Sequence, residues 1–283
     1  MHWSVEDLGR ENMNLRANLW LKTAYARAWV RTMSMYGEPL WVVVTVGFPL
    51  FSMMGMSLLY SSAGATARIG FAILGGIMLS FWGNVLWSMA SQFNWDKQAG
   101  LFEIYITSPA PISAILVGMS LGGILGTAPS AVMVAVVGWL VFHPPINPVW
   151  PTAIATFVIT LASLYALGMT LSSLYLVHGR EAESFNEALQ EPVQLLSGVY
   201  FPVYSPVIPL AVQAVASVIP LTIGMDALRR TLFLNNPADV NLVYTELLVL
   251  GIMAAILLVV SSKSLKALEE RGRRVGSIAV RMR

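Results

Sequence analysis

The sequence predicts an all-α membrane protein with six transmembrane helices, an N-terminal amphipathic interfacial helix and an extracytoplasmic re-entrant helical hairpin between the fifth and sixth spans. Three observations predict this class. The 283 residues are 56% hydrophobic and only 11% charged, whereas a soluble domain is about a quarter charged. Apolar runs of roughly 20 residues, enough to cross about 30 Å of hydrocarbon, recur along the chain. Most Lys and Arg residues lie in the segments that would face the same side of the membrane.

The N-terminal segment, residues 1–38, is predicted to be a cytoplasmic or interfacial amphipathic helix. Its arginines and aromatic residues fall on roughly opposite faces at helical spacing: Arg16, Arg27 and Arg31 against Tyr25, Trp29 and Tyr36. This pattern favours a helix along the cytoplasmic headgroups, with the rings toward lipid and the arginines toward phosphate. Trp20 lies on the arginine face, and a basic leader that only fixes topology is the alternative.

The transmembrane domain is predicted to cover residues 39–262. Charged or turn-rich segments bound six apolar runs, which are 39–60, 69–92, 112–142, 150–177, 188–202 and 244–262. The fifth run is short and carries Pro192 near its start. A basic cytoplasmic tail, 263–283, follows the sixth.

The orientation follows from the basic residues, because the side of a membrane that retains positive charge is cytoplasmic. Fourteen of the 17 Lys and Arg residues lie in the N-terminal segment, in the loops of Lys97 and Arg180, and in the tail. The opposite side has only Arg68, Arg229 and Arg230. Both termini are therefore predicted to be cytoplasmic, which agrees with an even number of spans.

An outer hairpin is predicted at 203–237, within an apolar stretch that prolines interrupt. Two short helices, 207–219 and 222–234, would each be too short to cross the membrane comfortably. A re-entrant hairpin from the outer face fits better. Irregular backbone at that depth is tolerated where protein or a water-filled cavity surrounds it, so we expect the hairpin to pack against other spans or to cap a pathway.

Several kinds of chemistry are not indicated by the sequence. The net charge of +2 is too small to suggest nucleic-acid binding, and the absence of Cys excludes disulfides and thiolate metal sites. No Gly-Lys dipeptide occurs, so there is no Walker A phosphate loop. His2, His143 and His178 are too far apart to predict a zinc site. Residues 1–31 lack the apolar core of a cleavable signal peptide, so we expect the N-terminus to be retained.

A cytoplasmic loop, 93–111, combines charged, apolar and aromatic residues in a short amphipathic helix that Pro109 and Pro111 would terminate. A soluble partner can bind such a helix through an apolar groove with a charged rim. A connector that merely lies on the membrane surface is the alternative.

Two segments resemble motifs of the type-2 ABC transporter permeases. The first is Asp96-Lys97-x-x-Gly100-Leu101-x-Glu103 followed by Thr107-Ser108-Pro109, which resembles that family's coupling helix for the ATPase. The second begins at Leu196-Ser197-Gly198-Val199-Tyr200-Phe201-Pro202 and continues through Ile219-Pro220-Leu221 to Asp226-Ala227-Leu228-Arg229-Arg230, and it is similar to the family's SGxxFP and PLT...ALR region. The likeness extends over essentially the whole chain. It departs from the family at Lys97, where arginine is frequent, at Leu101, where threonine is common, and at the inserted Ser108.

The resemblance implies two sets of functional residues. The ATPase-coupling set is Trp95, Asp96, Lys97, Gly100, Leu101, Phe102, Glu103, Tyr105, Arg180 and Glu181. The outer hairpin or gate set is Gly198, Phe201, Pro202, Pro220, Asp226, Arg229 and Arg230. The alternatives are that the coupling charges are only solvated, that Glu181 starts a helix, and that the Asp226 cluster anchors the hairpin at the headgroups, which we favour over a gate.

The function that the resemblance implies is that of a permease subunit of an ATP-driven exporter in a bacterial cell membrane. Its cargo would be an amphiphilic drug, lipid or lipid-linked saccharide. Its partners would be separate ATPase chains that hold ATP and Mg, a second permease copy or sister permease, and membrane lipid, with no nucleic acid. The chain itself would have no catalytic residue, metal or cofactor. The alternatives are an ion-gradient-driven secondary transporter and a membrane-embedded lipid-modifying enzyme.

Overall fold

Helices make up all the regular structure of the residues that the computed structural model describes, which are 5–37, 39–101, 104–105, 108, 111–178, 182–234 and 237–275. Ten α-helices, α1 to α10, are described in chain order: Val5–Met35, Pro39–Ser62, Ile69–Gly83, Ser91–Gln98, Ile112–Phe142, Trp150–His178, Ala182–Leu196, Leu210–Ala216, Pro220–Arg229 and Pro237–Val275. A 3₁₀ turn, Thr66–Arg68, precedes α3. Two π-helical segments, Asn84–Ala90 (π1) and Arg230–Leu234 (π2), follow α3 and α9.

Five stretches of the described chain are long and apolar enough to cross a membrane: Leu40–Ser62, Thr66–Ala90, Ile112–Phe142, Trp150–Ser173 and Asn241–Ser264. A sixth arises if Leu210–Ala216 and Pro220–Phe233 are counted as one span, although they bend by 104° at their junction. The class predicted from composition, an all-helical protein with several membrane spans, is therefore confirmed.

The predicted fifth span, 188–202, has the wrong boundaries. The helix in this region, α7, begins at Ala182 and ends at Leu196. It ends there because Gly198 adopts a left-handed φ of 74°, which glycine tolerates and which turns the chain. Its 15 residues cover about 22 Å, which is less than the hydrocarbon thickness of about 30 Å.

The core of the bundle surrounds α3 and π1, whose residues are almost all buried. The largest side chains at its centre include Trp82, Met78 and Leu86 on this span, Met119 on α5 and Leu164 on α6. In contrast, α2 and α10 are mostly exposed at the edges of the bundle. The second span is thus the most buried of the spans in the described part of the chain.

Helix α1 runs along the first half of α5 instead of standing apart from the bundle. A Cβ atom added at Gly118 would lie 2.5 Å from the Ala24 carbonyl oxygen, and one at Gly122 would lie 2.6 Å from the Ala28 carbonyl oxygen. Only glycine permits this approach of two backbones. The contact brings the arginine face of α1 against the protein and leaves Tyr25 and other aromatic residues exposed.

Candidate functional site

The end of the second span that was predicted to be cytoplasmic carries a buried carboxylate, Asp96, which is only 4% exposed. Its Oδ2 accepts hydrogen bonds from Arg27 Nη2 on α1 at 2.7 Å and from the Tyr105 hydroxyl at 2.8 Å. Its Oδ1 accepts one from Gln92 Nε2 at 2.7 Å. One carboxylate therefore joins α1, α4 and the segment after α4. We call Arg27, Arg31, Gln92, Asp96 and Tyr105 the inner cluster.

Arg31 extends the inner cluster by one turn of α1. Its Nη1 donates to Gln92 Oε1 at 2.8 Å. Burial, reinforced by the neighbouring Arg27 and opposed by Asp96, lowers the pKa of Arg31 to about 10. The guanidinium still carries its charge at neutral pH. The arginine face of α1, expected to meet lipid phosphate, instead contacts protein groups at Arg27 and Arg31.

Tyr105 closes the inner cluster from the loop side. The Arg27 guanidinium lies 5.4 Å from the centroid of its ring. The pKa of the Tyr105 phenol is raised, chiefly by burial, with Arg27 opposing the shift and Asp96 adding to it. The hydroxyl therefore remains a hydrogen-bond donor to Asp96 over the physiological pH range.

The surface of this loop is apolar where it is described. Gly100 turns the chain after α4 with a φ of 74°, and Trp95, Leu101 and Ile104 are 37%, 41% and 61% exposed. Ile104 was not among the predicted coupling residues, although it is an apolar residue between the 96–103 and 107–109 parts of the coupling motif, a position that could have indicated it. Asp96, predicted as a coupling contact, is buried and supports the loop from within. Phe102, Glu103, Arg180, Glu181 and the side chain of Lys97 lie outside the described residues.

The region that was predicted to face outward has a second group of charged residues. Arg229 is 2% exposed, its Nη2 donates to the Gly198 carbonyl oxygen, and its guanidinium lies 5.2 Å from the centroid of the Phe71 ring. Arg230 Nε donates to Asp226 Oδ2 at 2.8 Å and lies 3.6 Å from Glu246 Oε1 on α10. We call Asp226, Arg229, Arg230 and Glu246 the outer cluster.

The segment after α7 is tied to its neighbours on several sides. Pro220 is buried at the start of α9, and the Thr222 hydroxyl donates to the Leu196 carbonyl at 3.2 Å. The Tyr60 hydroxyl of α2 donates to the Tyr200 carbonyl at 2.8 Å. Phe201 and Pro202 are half-buried in the same turn. The structure thus brings the predicted outer residues together, and it adds Tyr60 and Glu246, whose long-range partners no local pattern indicated.

A cavity of about 420 Å³ lies within the membrane-spanning part of the bundle. Its walls come from the end of α1, from α2, from α3 with π1, from α5 and from α7. Asn84, at the start of π1, lines this cavity and accepts a hydrogen bond from the Tyr165 hydroxyl at 2.9 Å. Asn84 therefore bonds another helix and is also placed to contact a ligand in the cavity. π-Helical turns inside spans are frequent at functional sites.

One catalytic-looking pattern was missed in the sequence, Gly118-x-Ser120-x-Gly122, which has the spelling of a hydrolase nucleophile elbow. In the structure it lies inside α5, not at a strand-to-helix turn. Ser120 donates to the Leu116 carbonyl at 3.0 Å, and the glycines serve the close contact with α1. Within the described residues, no group of three or more His, Cys, Asp or Glu could hold a metal ion.

A bundle of five or six apolar helices with a pocket between them is the architecture of a multi-pass membrane protein. Residues 21–233 match the family described as ABC-2 type transporter. The match covers three quarters of the chain, and the chain belongs to this family of transport permeases, which work with an ABC ATPase. No curated protein matches it closely enough to count as a relative.

Proposed function

We propose that this chain is the membrane subunit of an ATP-driven exporter and that, with a second permease subunit, it moves an amphiphilic substrate out of a bacterial cell. ATP and Mg would be held by separate ATPase chains. Both termini and the 93–111 loop would face the cytoplasm, and the segment 203–237 would form a re-entrant hairpin on the outer face. Family membership supports the role of permease, and the inner cluster supports the coupling.

The observation that carries the coupling proposal is the burial of Asp96 beneath an exposed apolar surface. A partner that pushes on Trp95, Leu101 and Ile104 would act on a segment that Asp96 and Tyr105 join to the bundle. Because three donors from separate segments converge on one carboxylate, a displacement of the loop is transmitted instead of being absorbed locally.

The route of transmission would lead to the cavity. Arg27 and Arg31 lie on α1, and the same helix ends at Met35, whose sulfur lines the cavity and lies 3.7 Å from Asn84 Nδ2. A second route runs along the second span itself, from Asp96 on α4 through π1 to Asn84. Movement of the loop would therefore reach the cavity wall along two helices that are packed against α5.

The outer cluster has a structural part in this proposal. Arg229 holds the turn at Gly198, and Arg230 joins α9 to α10 through Asp226 and Glu246. These contacts support an anchor for the hairpin. Alternating exposure of the pathway would require the hairpin to remain in place while the spans beneath it move.

The test is copurification of the chain with an ABC ATPase encoded beside it, followed by measurement of ATP hydrolysis in vesicles. We expect replacement of Trp95 and Ile104 by aspartate, or of Phe102 and Glu103 by alanine, to abolish association because a charged or truncated surface loses its buried anchors. Glu187→Gln, an exposed change on α7, is the matched control. Cargo movement by the chain alone, driven by an ion gradient without ATPase, would overturn the proposal.

A further inference from the structure

The cavity of about 420 Å³ falls within the size range of small-molecule sites. Among the residues that the structure describes, the lining contains no Asp, Glu, Lys, Arg or His. Apolar and aromatic side chains alternate with small polar ones, and the full lining is Met35, Trp41, Val44, Thr45, Phe48, Pro49, Leu79, Ser80, Gly83, Asn84, Trp87, Ser88, Gly126, Thr127, Ser130, Gln190 and Gln194. A ligand in this cavity would meet aromatic rings, hydroxyls and amides, but no countercharge.

The amides of the cavity are oriented by the protein. Trp87 Nε1 donates to Gln190 Oε1 at 2.6 Å, and because an indole nitrogen can only donate, the carbonyl of Gln190 must face Trp87. The Tyr200 hydroxyl donates to Gln194 Oε1 at 2.9 Å. Both carbonyl oxygens are thus occupied, and neither amide nitrogen donates to another group of the described chain. Two N–H₂ groups remain to serve a ligand.

From this lining we infer that the cavity binds an uncharged amphiphile whose carbonyl, ether or hydroxyl oxygens accept hydrogen bonds from Gln190 and Gln194, with its rings or chains against Trp41 and Phe48. This inference deepens the proposed function, on which it rests for the role of the ligand as cargo. It narrows the amphiphile to a molecule whose bound part carries no net charge.

A cationic ligand is the strongest competitor, because aromatic rings attract cations. The carbonyl oxygens of Gln190 and Gln194, however, are already bonded within the protein, and the described residues that line the cavity include no carboxylate. Moving an ion from water into such a site without a countercharge costs more than ring contacts return. An anion in the cavity would meet hydrogen-bond donors but no Arg or Lys side chain of the described lining. A neutral ligand avoids the cost of moving a charge out of water, so the lining favours a neutral ligand.

Two dyes with the same benzophenoxazine ring system test the inference. Nile red is uncharged and carries a carbonyl oxygen, whereas Nile blue is a cation. The full chain would be placed in phosphatidylcholine nanodiscs without ATPase or ATP, and saturable dye binding would be measured against empty nanodiscs. We expect Nile red to bind at least tenfold more tightly than Nile blue. Equal binding of the two dyes, or no saturable binding of Nile red, would overturn the inference.

Gly83 supplies a variant that fills the cavity. A Cβ atom at this cavity-lining position meets no atom within 4 Å, so the side chain of Gly83→Leu starts in open space beside the cavity. Gly55 on α2 is equally open but does not line the cavity, and Gly55→Leu is the matched control. We expect Gly83→Leu to weaken Nile red binding at least tenfold and Gly55→Leu to change it less than twofold. Unchanged binding in Gly83→Leu would show that the dye lies in the bilayer and would contradict the proposal.

A charge substitution gives a gain of binding that a misfolded variant would not show. Gln190→Glu replaces an amide donor with a carboxylate in the cavity wall. We expect this variant to reverse the preference, so that Nile blue binds more tightly than Nile red. Retention of the Nile red preference would mean that Gln190 does not contact the ligand and would overturn the assignment. Because ATPase is absent throughout, failure here leaves the coupling proposal untouched, and loss of ATPase association leaves dye binding intact.

Discussion

The inner and outer clusters are both buried groups of Arg and Asp, but they are built differently. In the inner cluster one carboxylate, Asp96, accepts hydrogen bonds from Arg27, Tyr105 and Gln92, and Gln92 in turn accepts one from Arg31. In the outer cluster Arg230 contacts two carboxylates, Asp226 and Glu246, while Arg229 donates to the backbone carbonyl of Gly198. The inner cluster therefore depends on a single residue, whereas the outer one distributes its contacts.

The two clusters also differ in the sequence separation of their ion pairs. Arg230 and Asp226 are four residues apart on one helical segment, a spacing at which side chains meet without help from the fold. Arg27 and Asp96 are 69 residues apart and meet only because α1 packs on α5. The inner cluster can couple the position of α1 to that of α4, whereas the outer cluster holds the segment after α7 in place.

Asp96→Ala should have the largest effect of any single change in either cluster. Its removal would take the carboxylate partner from the half-buried Arg27, and loss of one partner of a buried pair costs about 3–5 kcal/mol. We expect a large fall in unfolding temperature and loss of the purified monodisperse chain, measured by differential scanning fluorimetry in detergent. Glu187→Ala, on the exposed part of α7, is the control. A fall no greater than that of the control would show that Asp96 is not the centre of the inner cluster.

Gly118→Ala tests whether the inner cluster depends on the α1–α5 contact. The added Cβ would lie 2.5 Å from the Ala24 carbonyl oxygen, so α1 must move, at a cost of about 1–3 kcal/mol. We expect lower stability and weaker stimulation of the partner ATPase. Gly251→Ala on α10, where the new Cβ meets no atom within 4 Å, should be neutral. Equal stability of the two variants would contradict the close contact.

Arg229→Met should cost less than Asp96→Ala because Asp226 keeps its bond to Arg230. The main loss is the partner of one buried carbonyl at Gly198, worth about 1–2 kcal/mol. Thermal unfolding measures the change, with the exposed Arg68→Met as control. A loss of stability as large as that of Asp96→Ala would show that the outer cluster also depends on one residue, as the inner cluster does.

Tyr105→Phe gives the smallest effect, together with a dependence on pH. Burial raises the pKa of the Tyr105 phenol above its ordinary value of 10.0, so its hydroxyl contributes stability that is fully present below pH 10 and is lost as pH rises beyond it. At neutral pH the variant should lose about 1 kcal/mol, the net worth of one hydrogen bond. Between about pH 9 and about pH 11, the unfolding temperature should fall more steeply in the unchanged chain than in Tyr105→Phe. Parallel curves would contradict this assignment.

Much of the fold could be predicted from the sequence because hydropathy and turn residues act locally. The starts of α2, α5 and α6 coincide with the predicted spans, and the break between α8 and α9 ends at Pro220, one of the prolines used to predict it. The end of α7 was placed six residues too late, since the apolar run continues to Pro202 while Gly198 has already turned the chain. Apolar composition does not reveal where a helix stops.

The candidate sites were predictable in part. Family motifs identified the loop around Asp96 and the turn at Gly198, but they suggested that the charges of the loop face a partner. The burial of Asp96 follows from Arg27, whose approach depends on the glycines of α5. The amide orientations in the cavity follow from hydrogen bonds with Trp87 and Tyr200, and Trp87 meets Gln190 only after folding because the two residues are 103 positions apart in the sequence.

The sequence by itself determined that the chain is a multi-span helical membrane protein of a recognisable permease type, because these properties follow from the lengths of apolar runs, the positions of Pro and Gly, and short motifs. Only the tertiary structure decided that Asp96 lies inside while Trp95 and Ile104 face outward, that Arg229 holds the Gly198 turn, and that an uncharged cavity opens beside π1. These outcomes depend on contacts between residues far apart in the chain, whose energies no local pattern contains.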